Sequence, residues 1–236
     1  MIYIVLSDVS SHLSNLQDQK MKAPELISFL KTRRSSKIAQ LSTPAPSQAE
    51  IKDILTIGAR VPDHGKYHPW YFIVFEGDAR AQVGEHLRTA YAAENPDTPP
   101  AKLDLEAEKF LRAPLVIAVI SRIREGKHPQ WEQILSSGAA CYNLCLAANG
   151  LGYGSNWLTE WYSYSPTFKK LMGLDERDHF AGFIYIGTPT EKNEERERPD
   201  LDEIITFWNK DTFSLNKGEP YGMPDAGMPK TGVTLL

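Results

Sequence analysis

Two short stretches of the chain carry paired guanidinium groups: Arg33-Arg34-Ser35 near the start, and Arg196-Glu197-Arg198-Pro199 towards the end. Planar, permanently charged forks beside a hydroxyl can grip a phosphate through charge-assisted, bidentate hydrogen bonds. Taken alone, each cluster reads more readily as a solvated helix end or a charged loop. A third stretch, Val61-Pro62-Asp63-His64-Gly65-Lys66-Tyr67-His68-Pro69-Trp70, holds too much Pro and Gly for regular structure. Loops of that richness carry function more often than they merely connect. The fourth, Gly150-Leu151-Gly152-Tyr153-Gly154, imitates a dinucleotide fingerprint. That motif needs a strand before it and a helix after it, so that phosphate meets a helix N-terminus. Here a helical pattern precedes and the extended Asn156-Trp157-Leu158-Thr159 follows, so the glycines read as a helix stop and a close-packing device.

The elements that must position these groups centre on residues 131–159. From Leu135 to Ala148 the residues are apolar or small all round a helical wheel, with Asn143 the main exception. A helix of that kind has no face for water and belongs at the centre of a fold or in a subunit interface. Pro24 and Glu25 open an earlier helix that closes on Lys31 and Arg33-Arg34. Ser47 with Glu50 forms a capping box for a helix running to Arg60. Tyr71–Phe75, Leu115–Ile120 and Gly182–Gly187 are continuous apolar runs, read as buried strands. An Asp78-capped helix to Glu94, a Pro-rich joint and a shorter helix ending near Arg112 separate the first two. Ser165-Pro166 starts another helix that stops at Gly173. Few strands and many helices give an α+β class, with a small mixed sheet wrapped by helices.

At 236 residues, 42% hydrophobic and 24% charged, the chain can bury one sizeable core. A net charge of −4 gives no global field for nucleic acid or an anionic membrane, so an anionic ligand must be held by local arginines. Cys141 and Cys145 share one face of the central helix with no further ligand at metal spacing; they read as reduced core thiols suited to a cytoplasm, and no metal is expected. Ile2–Leu6 is too short for a membrane span or a signal segment. Residues 1–20 have no sustained period and are expected to be an extension, with 21–208 the folded domain and 209–236 a tail that is mobile or laid over a neighbouring subunit. The aromatics Trp157, Trp161 and Tyr162 fit either a stacking lid or plain packing.

In this order the stretches resemble the FMN-dependent nitroreductase family over roughly residues 24–208. The likeness is greatest to short bacterial members with Arg-Arg-Ser near the start and Pro-Asp-His ahead of Pro-Trp. The resemblance implies a nitroreductase-like, interlocked homodimer with FMN at the interface. By that likeness Arg33, Arg34 and Ser35 hold the FMN phosphate and ribityl chain, and Arg60 and His64 reach FMN from the partner subunit. Trp157, Leu158 and Thr159 run beside the flavin ring, and Arg196 and Arg198 close on the phosphate. Ala147, Ala148, Asn149, Gly150, Leu151 and Gly152 correspond to a stretch associated with the nicotinamide nucleotide. The activity implied is transfer of hydride from NADH or NADPH to the flavin and then to a nitroaromatic, a quinone or another small planar acceptor, with ping-pong kinetics. No catalytic side chain is assigned. A flavin carrier or sensor without turnover, or a dehalogenase or dehydrogenase on the same scaffold, stands as the alternative.

Overall fold

The structure is a computed structural model that describes residues 22–211 and residue 214. The expected extension 1–20 and the tail beyond residue 214 lie outside the described residues. The chain divides into two compact units, Met1–Arg33 and Arg34–Leu236. In the first, α1 (Pro24–Thr32) has proline in its first turn, Glu25 at its N-terminal end and Lys31 at its C-terminal end, as the sequence predicts. The Arg33 backbone N–H closes it on Phe29 O at 2.8 Å.

The second unit is built on five strands: β1 (Leu41–Ser42), β2 (Trp70–Glu76), β3 (Leu115–Arg122), β4 (Gly154–Leu158) and β5 (Asp178–Pro189). β3 lies between β2 and β5, and the other side of β5 pairs with β4 and, further along, with β1. The α+β class stands, but every described pairing is antiparallel rather than mixed. The reason lies between β2 and β3. There α3 (Ala79–Glu94) runs out and α4 (Pro100–Ala107) with a 3-10 turn (Glu108–Arg112) runs back. Two helices instead of one return the chain to the end it left, so Glu76 faces Leu115 and the strands oppose.

Alternation along β3 divides the core. Val116, Ala118 and Ile120 pack with Phe75, Leu87, Phe110, Phe183 and Tyr185 on one face. Leu115, Ile117 and Val119 pack with Ile51, Ile54, Cys141, Leu144 and Ile184 on the other. Covered on both sides, β3 is apolar and buried from Leu115 to Ile120. β2, as apolar in sequence, is less covered, because no described strand pairs along its other edge. Contrary to the expected buried strand, only Phe75 of its seven residues is buried, and Tyr71 lies open beneath the Arg122 guanidinium, 4.8 Å from its ring.

The second face is covered by α2 (Gln48–Gly58) and α5 (Gln130–Gly150). Ser47 and Glu50 form the expected reciprocal cap, with the Ser47 N–H donating to Glu50 Oε2 at 2.8 Å. Asp78, in contrast, makes no side-chain cap to α3. Within one chain α5 is buried along one face only. Ala140, Cys141, Leu144 and Ala148 are fully enclosed, whereas Trp131, Leu135 and Tyr142, at helical spacing, are 44%, 54% and 42% exposed. The other location expected for such a helix, a subunit interface, is where that stripe would be covered.

α5 ends in a Schellman closure. The Tyr153 N–H reaches Ala148 O at 2.9 Å, the Gly152 N–H reaches Asn149 O at 3.0 Å, and Gly152 has φ +90°. The chain then enters β4 as an extended segment, in the helix–glycine–strand order read from the sequence. α6 (Pro166–Leu171) is capped by the Ser165 hydroxyl, which accepts the Phe168 N–H at 2.9 Å. No helix among the described residues is long and apolar enough to cross a membrane.

Candidate functional site

The C-terminal end of α5 gathers three of the stretches singled out in the sequence. Ser36, buried at 1% exposure, donates its N–H to Ser155 O at 2.9 Å, and its carbonyl accepts the Asn156 side-chain amide at 2.6 Å. Its hydroxyl accepts the Asn193 amide at 3.0 Å. Gly154 is required at this junction, because a Cβ there would stand 2.6 Å from Ser36 Oγ and 2.7 Å from a Leu41 methyl. The segment after Arg33, the start of β4 and the late basic loop are therefore stitched together by buried polar bonds.

One carboxylate oxygen marks what this junction attracts. Glu195 Oε1 accepts the Arg196 backbone N–H at 2.7 Å and Arg198 Nη2 at 3.1 Å, and it pairs with Arg34 Nε at 3.6 Å. Arg34 also donates to Glu194 O at 2.9 Å. The Arg196 N–H, and then the Arg198 and Arg34 charges, outweigh a small burial penalty and hold the Glu195 carboxyl below the usual glutamate range. Two guanidinium groups from distant parts of the chain thus converge on a single anionic oxygen, with an intrachain carboxylate in the seat. Sequence reasoning missed Glu195, Ser36, Asn156 and Asn193, which lie within or beside the motifs and carry no spacing signal of their own.

β4 leads away from this seat. The Trp157 indole, 41% exposed, donates to Ala181 O at 3.2 Å and lies against Gly182, where any side chain would collide with it. Leu158 packs against the first core. Thr159 accepts the Tyr164 hydroxyl at 3.3 Å. The turn that follows is locked by Glu160, which receives Lys109 Nζ and Arg112 Nη2, both at 2.6 Å. Partial burial would raise the Glu160 pKa, but the Lys109 and Arg112 bonds prevail and lower it. Tyr162 is core, and Trp161 donates to Glu106 Oε2 at 2.7 Å with its ring edge-on to Tyr91, so both aromatics pack. Of residues 147–152, Ala147 and Ala148 turn into the core at 5% and 0% exposure and offer no surface to a nucleotide. Asn149 donates to Tyr153 O and Ser155 Oγ, and Gly150, Leu151 and Gly152 are exposed.

The scan against family models matches residues 30–188 to the nitroreductase family. The chain belongs to that family. A nitroreductase-family relative from Escherichia coli K12, named "Putative NAD(P)H nitroreductase YdjA", is 33% identical over 186 residues, spanning 78% of this chain and all of that one. Among solved structures, a nitroreductase-like family protein from Bacillus cereus superposes with a TM-score of 0.69 at 21% identity, covering 80% of this chain and 98% of its own. A protein from Desulfovibrio desulfuricans named "putative nitroreductase", crystallised in complex with FMN, gives 0.60 at 24% identity, covering 80% and 99%. At those identities the solved structures establish the fold alone, which is nitroreductase-like.

The remaining expected site residues of this nitroreductase-family chain sit further back along α5, Arg60 beside its middle and His64 at its N-terminal end. Arg60 follows α2, and its carbonyl accepts the Asn143 amide at 3.0 Å, while Ile57 O accepts the same amide at 3.1 Å. Asn143, the main polar exception between Leu135 and Ala148, is therefore what fixes the end of α2. His64 lies further towards the N-terminal end, with Nδ1 2.6 Å from Glu132 Oε2 and its ring 3.5 Å from that of His128. Burial, then the neighbouring His64 and Lys127, lower the His128 pKa against the opposing pull of Glu132. From Glu132 to Asn149 the helix advances roughly 25 Å, at about 1.5 Å per residue. One chain brings Arg34, Arg198 and β4 together and leaves His64 at the far end. Arg33, in the first unit, forms the α1 closure described above.

Proposed function

We propose that this chain is an FMN-dependent NAD(P)H oxidoreductase that reduces nitroaromatics, quinones or another flat acceptor, working as a homodimer. The observation that carries the reading is the set of groups around Glu195 Oε1. The Arg196 N–H and Arg198 Nη2 donate to it while Arg34 stands beside it as an ion pair at 3.6 Å, and such a set suits a phosphate better than a lone carboxylate, because a phosphate offers an oxygen to each. The donor set fits the FMN phosphate, and the FMN complex of the Desulfovibrio relative supports that choice of anion.

Bound FMN would supply the redox chemistry, taking hydride from NADH or NADPH and passing electrons to the acceptor. The chain's own residues would do the holding. Arg34 and Arg198, with Ser35 and Arg196, would grip the phosphate once Glu195 swings aside. The bonds of Ser36 and Asn156 would fix β4, so that the backbone of Trp157, Leu158 and Thr159 stands at a set height beside the ring. Asn149 to Gly152, the surface-bearing part of its stretch, would meet the nicotinamide nucleotide. No side chain need act as nucleophile.

Homodimerisation is part of the same reading. The separation of His64 from the arginine seat means that His64 could reach a flavin held there only from a second copy, and by the family likeness Arg60 would come from that copy with it. The exposed Trp131, Leu135 and Tyr142 stripe supports a second copy as its cover.

The test is spectroscopic. Purified protein, reconstituted with FMN, should be yellow and bleach when NADH or NADPH is added without oxygen, and steady-state plots against acceptor should be parallel. A yellow protein that neither nucleotide bleaches would be a carrier, and a chain that retains no FMN would refute the proposal.

A further inference from the structure

The N-terminal end of α5 holds a cluster that the flavin reading does not use. His64 comes from the loop after α2, His128 from the loop before α5, and Glu132 from the first turn of α5. One potential ligating atom of each lies within 4.8 Å of those of the other two. They line a cleft of about 10 Å³, room for one water-sized occupant, with Asp63, Gln133 and Ser136 on its wall. His128 makes no hydrogen bond to another described residue, although its ring lies tilted against that of His64, with centroids 3.5 Å apart, and is pressed against Gly65.

The surrounding residues are arranged to hold these three groups. Gln133, 3% exposed, clamps the loop that carries His128: its Oε1 accepts the Arg124 N–H at 2.8 Å and its Nε2 donates to Arg124 O at 3.0 Å. Ser136 and Ser137 anchor the loop that carries His64, donating to Pro62 O at 2.7 Å and Pro69 O at 3.0 Å. Asp63 folds that loop on itself by accepting the Tyr67 and His68 N–H groups at 3.0 and 2.9 Å. All three clamps on α5 lie within about a turn and a half of Glu132, on the same rigid element. Buried supports that fix the loops bearing would-be ligands are what a metal site needs around its inner residues.

We propose that His64, His128 and Glu132 bind one divalent transition-metal ion of the zinc class, with a fourth coordination position open to water. Two imidazole nitrogens and a carboxylate oxygen are borderline ligands of the type zinc takes, and three protein ligands leave a tetrahedral ion one vacancy. Ligands about 2.0–2.2 Å from such an ion stand about 3.3 Å from one another. The His64–Glu132 pair must open slightly and the wider separations close, movements a loop side chain can make. The site rests on residues of a single chain and stands whether or not the flavin reading does. With one His64 nitrogen on the metal, the flavin contact proposed for His64 falls to the other.

The test uses tag-free protein, stripped with a chelator and titrated calorimetrically with Zn2+. One ion per chain at a Kd of about 1 μM or tighter is expected. Co2+ in its place should give the intense visible absorption of a four-coordinate ion. His128→Ala and the conservative Glu132→Gln should each weaken binding at least about tenfold and abolish the rise in Tm that Zn2+ gives the unaltered protein. His86→Ala, an exposed imidazole elsewhere, should change nothing. No saturable binding, or binding that survives both Glu132→Gln and His128→Ala, would overturn the proposal.

Discussion

The two ends of α5 do opposite things with the same helix. At the C-terminal end, uncharged side chains such as Asn149 and Ser155 tie backbone together, and guanidinium groups from other elements gather around one anionic oxygen. At the N-terminal end, serine and glutamine side chains clamp two loops, and imidazoles gather around a carboxylate. Dipole polarity sharpens the contrast. A helix favours anions at its N-terminus and cations at its C-terminus. Glu132 is therefore placed with the dipole, but an anion near the C-terminal end is placed against it. Attraction for a phosphate there must come from Arg34 and Arg198, whereas the opposite end already carries the negative charge that a cation needs.

The most damaging change to this division should be Arg34→Ala. Removing a charge-assisted bond to the phosphate costs about 1.5–3 kcal/mol, so FMN affinity measured by fluorescence titration should fall by about tenfold or more. Unchanged affinity would detach the arginine seat from the flavin. Gly154→Val comes next, because its side chain would be driven into Ser36 and Leu41. Chemical denaturation should show a loss of about 1–3 kcal/mol, with FMN affinity reduced alongside, while Zn2+ binding at the other end is unchanged.

A subtler probe is acid. The Glu160 pKa is depressed in the folded chain, so its contribution to stability is present above the usual glutamate range and is lost as pH falls through the folded value. The Tm of the unaltered protein should drop across that acidic window, and Glu160→Gln should flatten the drop. The smallest effect should come from Glu195→Gln. Without its charge the seat is easier to vacate, and FMN should bind several-fold more tightly. Weaker binding would mean that Glu195 touches the cofactor directly.

What the sequence made legible was local. The Ser47–Glu50 box, the proline-started α1 and α6 and the glycine stop of α5 are decided within a few residues, and they appear where the pattern puts them. The β3 run was legible because burial on both faces leaves no alternation to misread. The direction of strand pairing was not, since it depends on whether one helix or two fill an excursion. β2 has the composition of a buried strand and becomes an edge only because no strand among the described residues pairs beyond it. At the site, the arginine pairs could be found by type, but Glu195 is one acid in a charged loop until Arg34 is seen beside it. His128 likewise had no evident partner in sequence, because His64 reaches it through tertiary structure alone and Glu132, four residues on, becomes its neighbour only as the chain turns into α5.

Asn143 sits between the two ends of α5, bonded to the carbonyls that close α2. That single amide acts as a datum for the whole rod. Insert one residue between Ser137 and Asn143, and everything C-terminal of the insertion turns by roughly 100°. Asn143 would lose Ile57 and Arg60, and the methyls of Ala147 and Ala148 would swing away from the sheet. Loops around this protein can lengthen in evolution, but the span from Glu132 to Asn149 is a fixed dimension that deletions and insertions must leave alone.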